Sequence, residues 1–89
     1  MDISKLAAIA AELEEHGIDC QVDYPEVITG GHDDVWFTAG FANGGAGVDI
    51  YEEPEMSTYI GGANSDYMLD DDPRVVAAFM VGVIRTMQA

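Results

Sequence analysis

The sequence predicts an α+β domain in which an antiparallel sheet is covered on one face by two helices, in the order α-β-β-β-(β)-α. Three observations lead to this prediction: a helical apolar stripe near the start of the chain, strand-like alternation in the middle, and a second helical stripe near the end. A sheet with one apolar face needs a cover, and two amphipathic helices supply it. With 89 residues, the chain is expected to form a single domain, residues 1–89.

The first helix is predicted from an apolar stripe with three- and four-residue spacing. The stripe consists of Ile3, Leu6, Ile9, Ala10 and Leu13. Asp2 or Ser4 can cap the first free amide groups. Gly17 is expected to end the helix, because glycine adopts the left-handed conformation at little cost, and Ile18 can then fold back on Leu13.

The first strand is predicted where apolar and polar residues alternate after this glycine. The apolar positions are Cys20, Val22 and Tyr24, and the polar ones are Asp19, Gln21 and Asp23. Pro25 favours an edge position or a bend. Residues 30–34 are rich in glycine and aspartate, which predicts a turn.

A hairpin is predicted between residues 35–41 and 46–53, closed by Asn43-Gly44. This register places three apolar pairs on one face: Phe41 with Ala46, Ala39 with Val48, and Phe37 with Ile50. The other face carries Trp36 beside Tyr51, Thr38 beside Asp49, and Gly40 beside Gly47. A slip by one residue would mix the two faces, so the pattern supports this pairing.

The remainder of the chain predicts a short strand at 56–60, a loop at 61–69 and a second helix. Asp72-Pro73 is a strong helix start, with an aspartate cap and a proline at the first helical position. The stripe of this helix consists of Val76, Phe79, Met80, Val83 and Met87. Val75, Ala78 and Gly82 extend its apolar surface, which predicts deep burial or a partner.

The charge of the chain is strongly unbalanced. Seventeen Asp and Glu residues against three Lys and Arg give a net charge of −14, and no Lys or Arg lies between Lys5 and Arg74. This balance excludes direct binding to nucleic acid or to an anionic membrane, because both require cations. Two interpretations remain open: general solubility in a host whose proteins are all acidic, or a functional field that attracts a basic protein partner.

Sixteen of the seventeen carboxylates fall into five groups along the chain. They are Glu12, Glu14 and Glu15; Asp19, Asp23 and Glu26; Asp33 and Asp34; Asp49, Glu52, Glu53 and Glu55; and Asp66, Asp70, Asp71 and Asp72. In its length, its acidity and its α+β pattern the chain resembles small phage-encoded inhibitors of bacterial defence, the anti-CRISPR and anti-restriction DNA mimics. The resemblance implies an inhibitor that fills a cationic groove meant for nucleic acid. The chain is also similar to acidic immunity proteins that neutralise basic nuclease toxins.

The candidate binding residues lie on the hairpin and the first strand. Trp36 and Tyr51 are the candidate anchors, because aromatic side chains ringed by polar groups are typical of binding hot spots. The carboxylates expected to meet Lys and Arg of the partner are Asp19, Asp23, Asp49, Glu52, Glu53 and Glu55. The alternative is that Trp36 and Tyr51 pack under the loop at 61–69.

Catalysis and metal binding find little support in the sequence, and neither an enzyme nor a cofactor is expected. Cys20 with His16 or His32 could form a nucleophile and base, but Cys20 fits better as a small buried apolar residue. The acidic residues of the loop at 61–69 and after it could supply oxygen ligands for calcium, yet they lack the spacing of a calcium loop. These residues are Asp66, Asp70, Asp71 and Asp72.

The expected location is the cytoplasm, or the host cytoplasm if the chain is phage-encoded. The longest mostly apolar run, residues 75–84, is much shorter than the roughly 20 residues that a membrane crossing needs. A second functional class remains open. The chain could be an accessory or assembly module that docks or forms a homodimer through the apolar side of its second helix.

Overall fold

The chain folds into two helices and a five-stranded antiparallel sheet. A computed structural model describes residues 3–23, 27–32, 35–41, 44–52 and 58–86. The elements are α1 (Ile3–Glu15), β1 (Asp19–Asp23), β2 (Val27–His32), β3 (Val35–Gly40), β4 (Gly47–Glu52), β5 (Tyr59–Asn64) and α2 (Pro73–Thr86). The strands lie in chain order, β1-β2-β3-β4-β5, and each neighbouring pair is antiparallel. The predicted α+β class is confirmed.

The end of α1 follows the predicted glycine signal. Gly17 has φ +82°, and its amide donates to the carbonyl of Glu14 at 2.9 Å. The amide of Ile18 donates to the carbonyl of Leu13 at 3.1 Å. Together these bonds form a Schellman motif, in which two otherwise free helix carbonyls are satisfied and the chain reverses. Ile18 is buried and begins the path into β1.

The start of α2 also matches the sequence prediction. The Asp72 carboxylate accepts a hydrogen bond from the amide of Arg74 at 2.9 Å, and its backbone carbonyl accepts one from Val76 at 3.1 Å. Asp72 is therefore the N-cap and Pro73 the first helical residue. The Arg74 guanidinium pairs with the same carboxylate at 3.0 Å, and this interaction lowers the pKa of Asp72.

The register of β3 and β4 confirms the predicted hairpin. The predicted pairs from Trp36–Tyr51 to Gly40–Gly47 are all present, and Phe37 lies opposite Ile50. The pair Phe41–Ala46 lies beyond the strand ends, and Asn43 of the predicted turn lies outside the described residues.

One face of the sheet forms the core together with both helices. Phe37, Ile50 and Ile28 are fully buried in a single apolar cluster with the stripes of α1 and α2. α1 contacts β1 and β2, and α2 contacts α1 and β4. The other side of the sheet, called here the open face, has side-chain positions on all five strands. They are Asp19, Gln21, Asp23, Val27, Thr29, Gly31, Trp36, Thr38, Gly40, Gly47, Asp49, Tyr51, Tyr59, Gly62 and Asn64.

The prediction of a turn is wrong for residues 30–32, because β2 continues through His32, and residues 33 and 34 lie outside the described residues. Gly30 pairs with Cys20 on one side and with Phe37 on the other. A Cβ atom on Gly30 would overlap the Asp19 carbonyl oxygen and lie 3.0 Å from the Phe37 ring. The glycine is therefore a packing requirement of a central strand rather than a turn signal.

The last strand is displaced from its predicted position. β5 covers Tyr59–Asn64, so the first residues of the predicted loop at 61–69 belong to the sheet, and residues 56 and 57 lie outside the described residues. Gly61 and Ala63 pair with Ile50 and Val48 on the core side. Here the pairing of β5 with β4 outweighs the weak intrinsic strand preference of glycine and alanine.

The buried stripe of α2 is rotated from the predicted one. The buried residues are Val76, Ala77, Met80, Val81 and Ile84. Phe79 and Val83 are only partly buried, Val75, Ala78 and Gly82 are exposed, and Met87 lies outside the described residues. The predicted stripe was centred too near Phe79, since every face of this helix offers apolar residues.

Replacing Gly30 by Ala should destabilise the fold by roughly 1–3 kcal/mol, because the added methyl group is forced against backbone and the Phe37 ring. Gly82→Ala is the matched control. Gly82 has no atom within 4 Å of its would-be Cβ, so this helical substitution should stabilise by about 0.5–1 kcal/mol. Urea unfolding midpoints measure both. A Gly30→Ala variant as stable as the parent would contradict the close packing at this position.

Candidate functional site

The open face carries carboxylates and no cation. Asp19, Asp23 and Asp49 stand on it, whereas its positions on the five described strands include no Lys, Arg or His. All three basic residues of the chain lie on the helices. Lys5 pairs with Asp70, Arg74 pairs with Asp72, and Arg85 donates to the His16 carbonyl at 2.9 Å. The negative potential of the open face is thus not neutralised locally.

An aromatic row crosses the same face. Trp36 and Tyr51 are direct cross-strand neighbours, and the ring centroid of Tyr51 lies 5.7 Å from that of Tyr59 in an edge-to-face arrangement. Trp36 and Tyr51 are partly buried, and Tyr59 is 58% exposed. The structure therefore brings together the two predicted anchors and adds a third ring. The neighbour of Tyr51 on the β5 side is Tyr59, a strand residue outside the predicted loop at 61–69.

A β-bulge places Tyr59 in this row. Ile50 pairs with Gly61 but Tyr51 pairs with Tyr59, so Ile60 is the extra residue. Without the bulge, Tyr59 would point to the opposite side of the sheet. The alternation of residues in this segment gave no signal for the bulge, so sequence reasoning missed Tyr59.

The hydroxyl of Tyr59 lies beside Asp49. Gly62, on the same strand as Tyr59, is the cross-strand partner of Asp49. A Cβ atom on Gly62 would lie 3.1 Å from the Tyr59 hydroxyl and 3.0 Å from the Asp49 carboxylate. Partial desolvation raises the pKa of Tyr59, and the charge of Asp49 and a hydrogen bond to it raise it further. These influences favour the protonated phenol of Tyr59.

Asp23 is held by two neighbouring side chains. The Thr29 hydroxyl donates to Asp23 Oδ2 at 2.7 Å, and Gln21 Nε2 donates to the same oxygen at 3.1 Å. These hydrogen bonds lower the pKa of Asp23, with the bond from Thr29 contributing most. Asp23 stays ionised at neutral pH, and the side-chain donors of Thr29 and Gln21 are directed towards it.

Two depressions lie on the open face. The larger has a volume of about 390 Å³, and its walls include Asp19, Gln21, Thr29, Gly31 and Trp36. The smaller, of about 100 Å³, lies next to Asp49 and is lined mainly by glycine, threonine and asparagine. The glycines of the sheet leave these spaces between the aromatic row and the acidic residues.

The predicted glutamates do not all join this face. Glu52 is exposed at the end of β4. It lies two residues after Ile50, so its position is on the same side of the sheet as Ile50, the core side. Glu53 and Glu55 lie outside the described residues. Of the predicted binding residues, the structure therefore brings together Asp19, Asp23, Asp49, Trp36 and Tyr51.

Cys20 lies on the helix side of β1 and is a poor nucleophile at neutral pH. Its thiol donates to the Ala10 carbonyl at 3.4 Å. Burial raises the pKa of Cys20 to about 11, and the charges of Glu14 and Asp19 add to the shift. Since the thiolate is the reactive form, this environment favours the small apolar role over the catalytic one.

Three of the four aspartates considered for calcium have structural partners. Asp70 pairs with Lys5, Asp71 accepts a hydrogen bond from the Met68 amide at 2.7 Å, and Asp72 caps α2. Within the described ranges, no group of three or more His, Cys, Asp or Glu side chains is placed to hold a metal ion.

An uncharged surface lies at the other edge of the sheet. Among the described strands, β5 has a neighbour on one side only, and its sequence Tyr-Ile-Gly-Gly-Ala-Asn carries no charge. Beside it, a depression of about 330 Å³ is lined by Ala63, Phe79, Gly82, Val83 and Thr86. We call these five lining residues and β5 the β5–α2 patch. β1, the opposite edge strand, carries Asp19 and Asp23 instead.

Removal of the Thr29 hydroxyl in Thr29→Val should raise the pKa of Asp23 towards its ordinary value of 3.8, because the strongest hydrogen bond to the carboxylate is lost. A carboxyl-carbon NMR titration measures this shift. The parent chain should lose the corresponding stability only as the pH falls below 3.8 through the lowered pKa. Thr38→Val, on the same face, should leave the pKa of Asp23 unchanged. An equal shift in both variants would contradict the assignment.

No helix within the described ranges is long and apolar enough to cross a membrane. Comparison with known protein families, curated proteins and solved structures found no match to the chain. The chemistry of the open face is therefore the ground on which a function can be argued.

Proposed function

We propose that the chain is an acidic, stoichiometric binding protein that inhibits a basic, nucleic-acid-binding protein by covering its phosphate-binding surface with the open face. The observation that carries this proposal is that acidic and aromatic side chains share one face of the sheet, while the basic side chains lie elsewhere. The open face combines Asp19, Asp23 and Asp49 with an aromatic row, and all three cations of the chain lie on the helix side.

The long-range part of the interaction comes from the field of the whole chain. A net charge of −14 steers association with a cationic partner and raises the association rate. Asp19 and Asp23 stand four residues apart on β1, which is about 13 Å at the usual strand rise. This spacing is wider than that of successive phosphates on one DNA strand, about 3.4 Å along the axis. The chain, whose longest dimension is 30 Å, would therefore imitate the sign and the extent of the DNA field. It would not imitate the positions of individual phosphates.

The short-range part comes from the aromatic row. Trp36 and Tyr51 are partly buried and held by the central hairpin, so little conformational entropy is lost when a partner covers them. Tryptophan, tyrosine and the arginines that they contact dominate the binding energy of many interfaces. The acidic residues around the row would supply orientation and exclude anionic competitors.

An anti-CRISPR-like or anti-restriction-like inhibitor, acting in the host cytoplasm, is the form of this function that the resemblance supports. An immunity protein for a basic nuclease toxin would use the same chemistry. The two differ in the partner: a defence complex that binds nucleic acid in the first case, and a nuclease in the second. Both require that the partner cannot hold the chain and nucleic acid at once.

The double variant Asp19→Lys/Asp49→Lys should slow association with the partner at least tenfold, because steered association depends on charge at the contact surface. The partner is obtained by eluting proteins from the immobilised chain with steps of increasing salt, and it is then purified. The purified partner is loaded with duplex DNA, and release of the DNA is measured when the chain is added. Stopped-flow mixing at two salt concentrations then measures the association rates.

Glu14→Lys/Glu15→Lys is the matched control, with the same change in net charge at two exposed positions on α1, outside the open face. It should slow association much less than the open-face pair. Equal effects would place the contact elsewhere, and salt-insensitive binding or simultaneous binding of DNA would refute the proposal.

The β5–α2 patch favours a second candidate function, self-assembly through a second copy of the chain. Like charges oppose the approach of two copies with a net charge of −14 each, so contact is least costly where charge is absent. The residues that line this depression, such as Phe79 and Val83, are uncharged, and β5 offers a free strand edge beside them. A homodimer would join two such edges.

If this patch forms a dimer, Gly82→Glu should convert it to monomer by placing a carboxylate in the depression on each copy. The Cβ of residue 82 has free space, so the fold should be unaffected. Light scattering coupled to size exclusion measures the mass at low and high salt. Ala7→Glu, an exposed change on α1, is the control. A parent chain that is monomeric at all concentrations would exclude self-assembly.

A further inference from the structure

The aromatic row of the open face ends at a glycine on β2. In the register of the sheet, Asp19 lies opposite Gly31, and Gly31 lies opposite Trp36. Neighbouring strands are about 4.8 Å apart, so the backbones of Asp19 and Trp36 are separated by about twice that distance. Gly31 contributes no side chain to fill the space between them. This missing side chain creates the depression of about 390 Å³.

Three side chains on the walls of this depression, Asp19, Gln21 and Thr29, carry acceptor oxygens. Asp19 contributes a carboxylate that is exposed at the mouth. Gln21 and Thr29 direct their donor groups to Asp23, at 3.1 and 2.7 Å. The amide oxygen of Gln21 therefore remains available as an acceptor. Trp36 lines the depression across Gly31 from Asp19, and the face of an indole ring carries a negative quadrupole that attracts cations.

We infer that this depression is a binding subsite for one arginine side chain of the basic partner, with the guanidinium against the Trp36 ring and its N–H groups donating to Asp19 and Gln21. This inference rests on the proposed function and deepens it, since it names the group that the open face recognises. The arginine side chain of the partner occupies the space beside Trp36 that a side chain at position 31 would otherwise fill.

Arginine fits these walls better than other side chains do. The guanidinium is planar and weakly hydrated, so it stacks on an aromatic ring while it donates in its plane to a carboxylate. A lysine ammonium is compact and strongly hydrated, and it gains less from the indole wall. Carboxylates and phosphates are repelled by the charge of Asp19.

The test uses the only tryptophan of the chain as its reporter. Trp36 fluorescence is recorded while the intact protein is titrated with the blocked tripeptide Gly-Arg-Gly or its lysine counterpart Gly-Lys-Gly. We expect saturable binding of the arginine peptide in the millimolar range, and at least about fivefold weaker binding of the lysine peptide. The shift of the Trp36 indole N–H resonance provides a second measurement.

Asp19→Asn should weaken the arginine peptide about fivefold or more, because the charge-assisted hydrogen bonds to the carboxylate are lost. Asp66→Asn makes the same change at an exposed position outside the depression and should not alter binding. Circular dichroism verifies that both variants are folded. Equal affinity for the two peptides, or equal effects of the two substitutions, would overturn the subsite.

The failure of this inference differs from the failure of the proposed function. If the chain displaces DNA from its partner but Trp36 does not distinguish arginine from lysine, the function stands and the subsite is wrong. If the arginine peptide binds as expected and no nucleic-acid-binding protein is inhibited, the subsite stands and the function is wrong.

Discussion

The pairing of β3 with β4 is the constraint on which the rest of the structure depends. Phe37 and Ile50 are opposite each other and fully buried beneath the helices. Because side chains alternate along a strand, burying this pair fixes Trp36 and Tyr51 on the other side of the sheet. In the same register, Asp49 lies on the open face between Tyr51 and Gly47, the residue at which β4 begins. The open face is therefore a geometric consequence of the core.

The distribution of charge adds a second constraint. The described carboxylates are all at least partly accessible, and the basic residues are used to fasten the helices: Arg74 at the cap of α2, and Arg85 at the carbonyl end of α1. The open face receives none of them. Repulsion among its acidic residues opposes folding, and the apolar cluster between sheet and helices must outweigh it. A surface that is kept unneutralised in this way is suited to a cationic surface on another molecule.

The predictable parts of the fold are those in which local chemistry and long-range pairing agree. Gly17, Asp72 and the β3–β4 alternation each specify one local geometry, and each was predicted correctly. β2 was missed because Gly30 has the chemistry of a turn, although its actual role is to make room for the Phe37 ring. Two features of the site depend on the register between two strands, which the pattern within one strand does not determine. Tyr59 reaches the open face through a bulge at Ile60, and the hydrogen bond from Thr29 to Asp23 needs the β1–β2 register. No short stretch of sequence encodes either one.

The hydrogen bond from Arg85 to the His16 carbonyl joins residues 69 positions apart, and it reflects the contact between α1 and α2 at the two ends of the described chain. α1 contacts α2 directly, so its apolar stripe stays incompletely covered until the segment of α2 has emerged from the ribosome. The contacts between α1 and α2 span most of the chain, and contacts between residues so far apart form slowly because a long loop must close first. The nascent chain must therefore keep an exposed amphipathic helix in solution while the sheet is made, and the abundant acidic residues would help to prevent its aggregation during that interval.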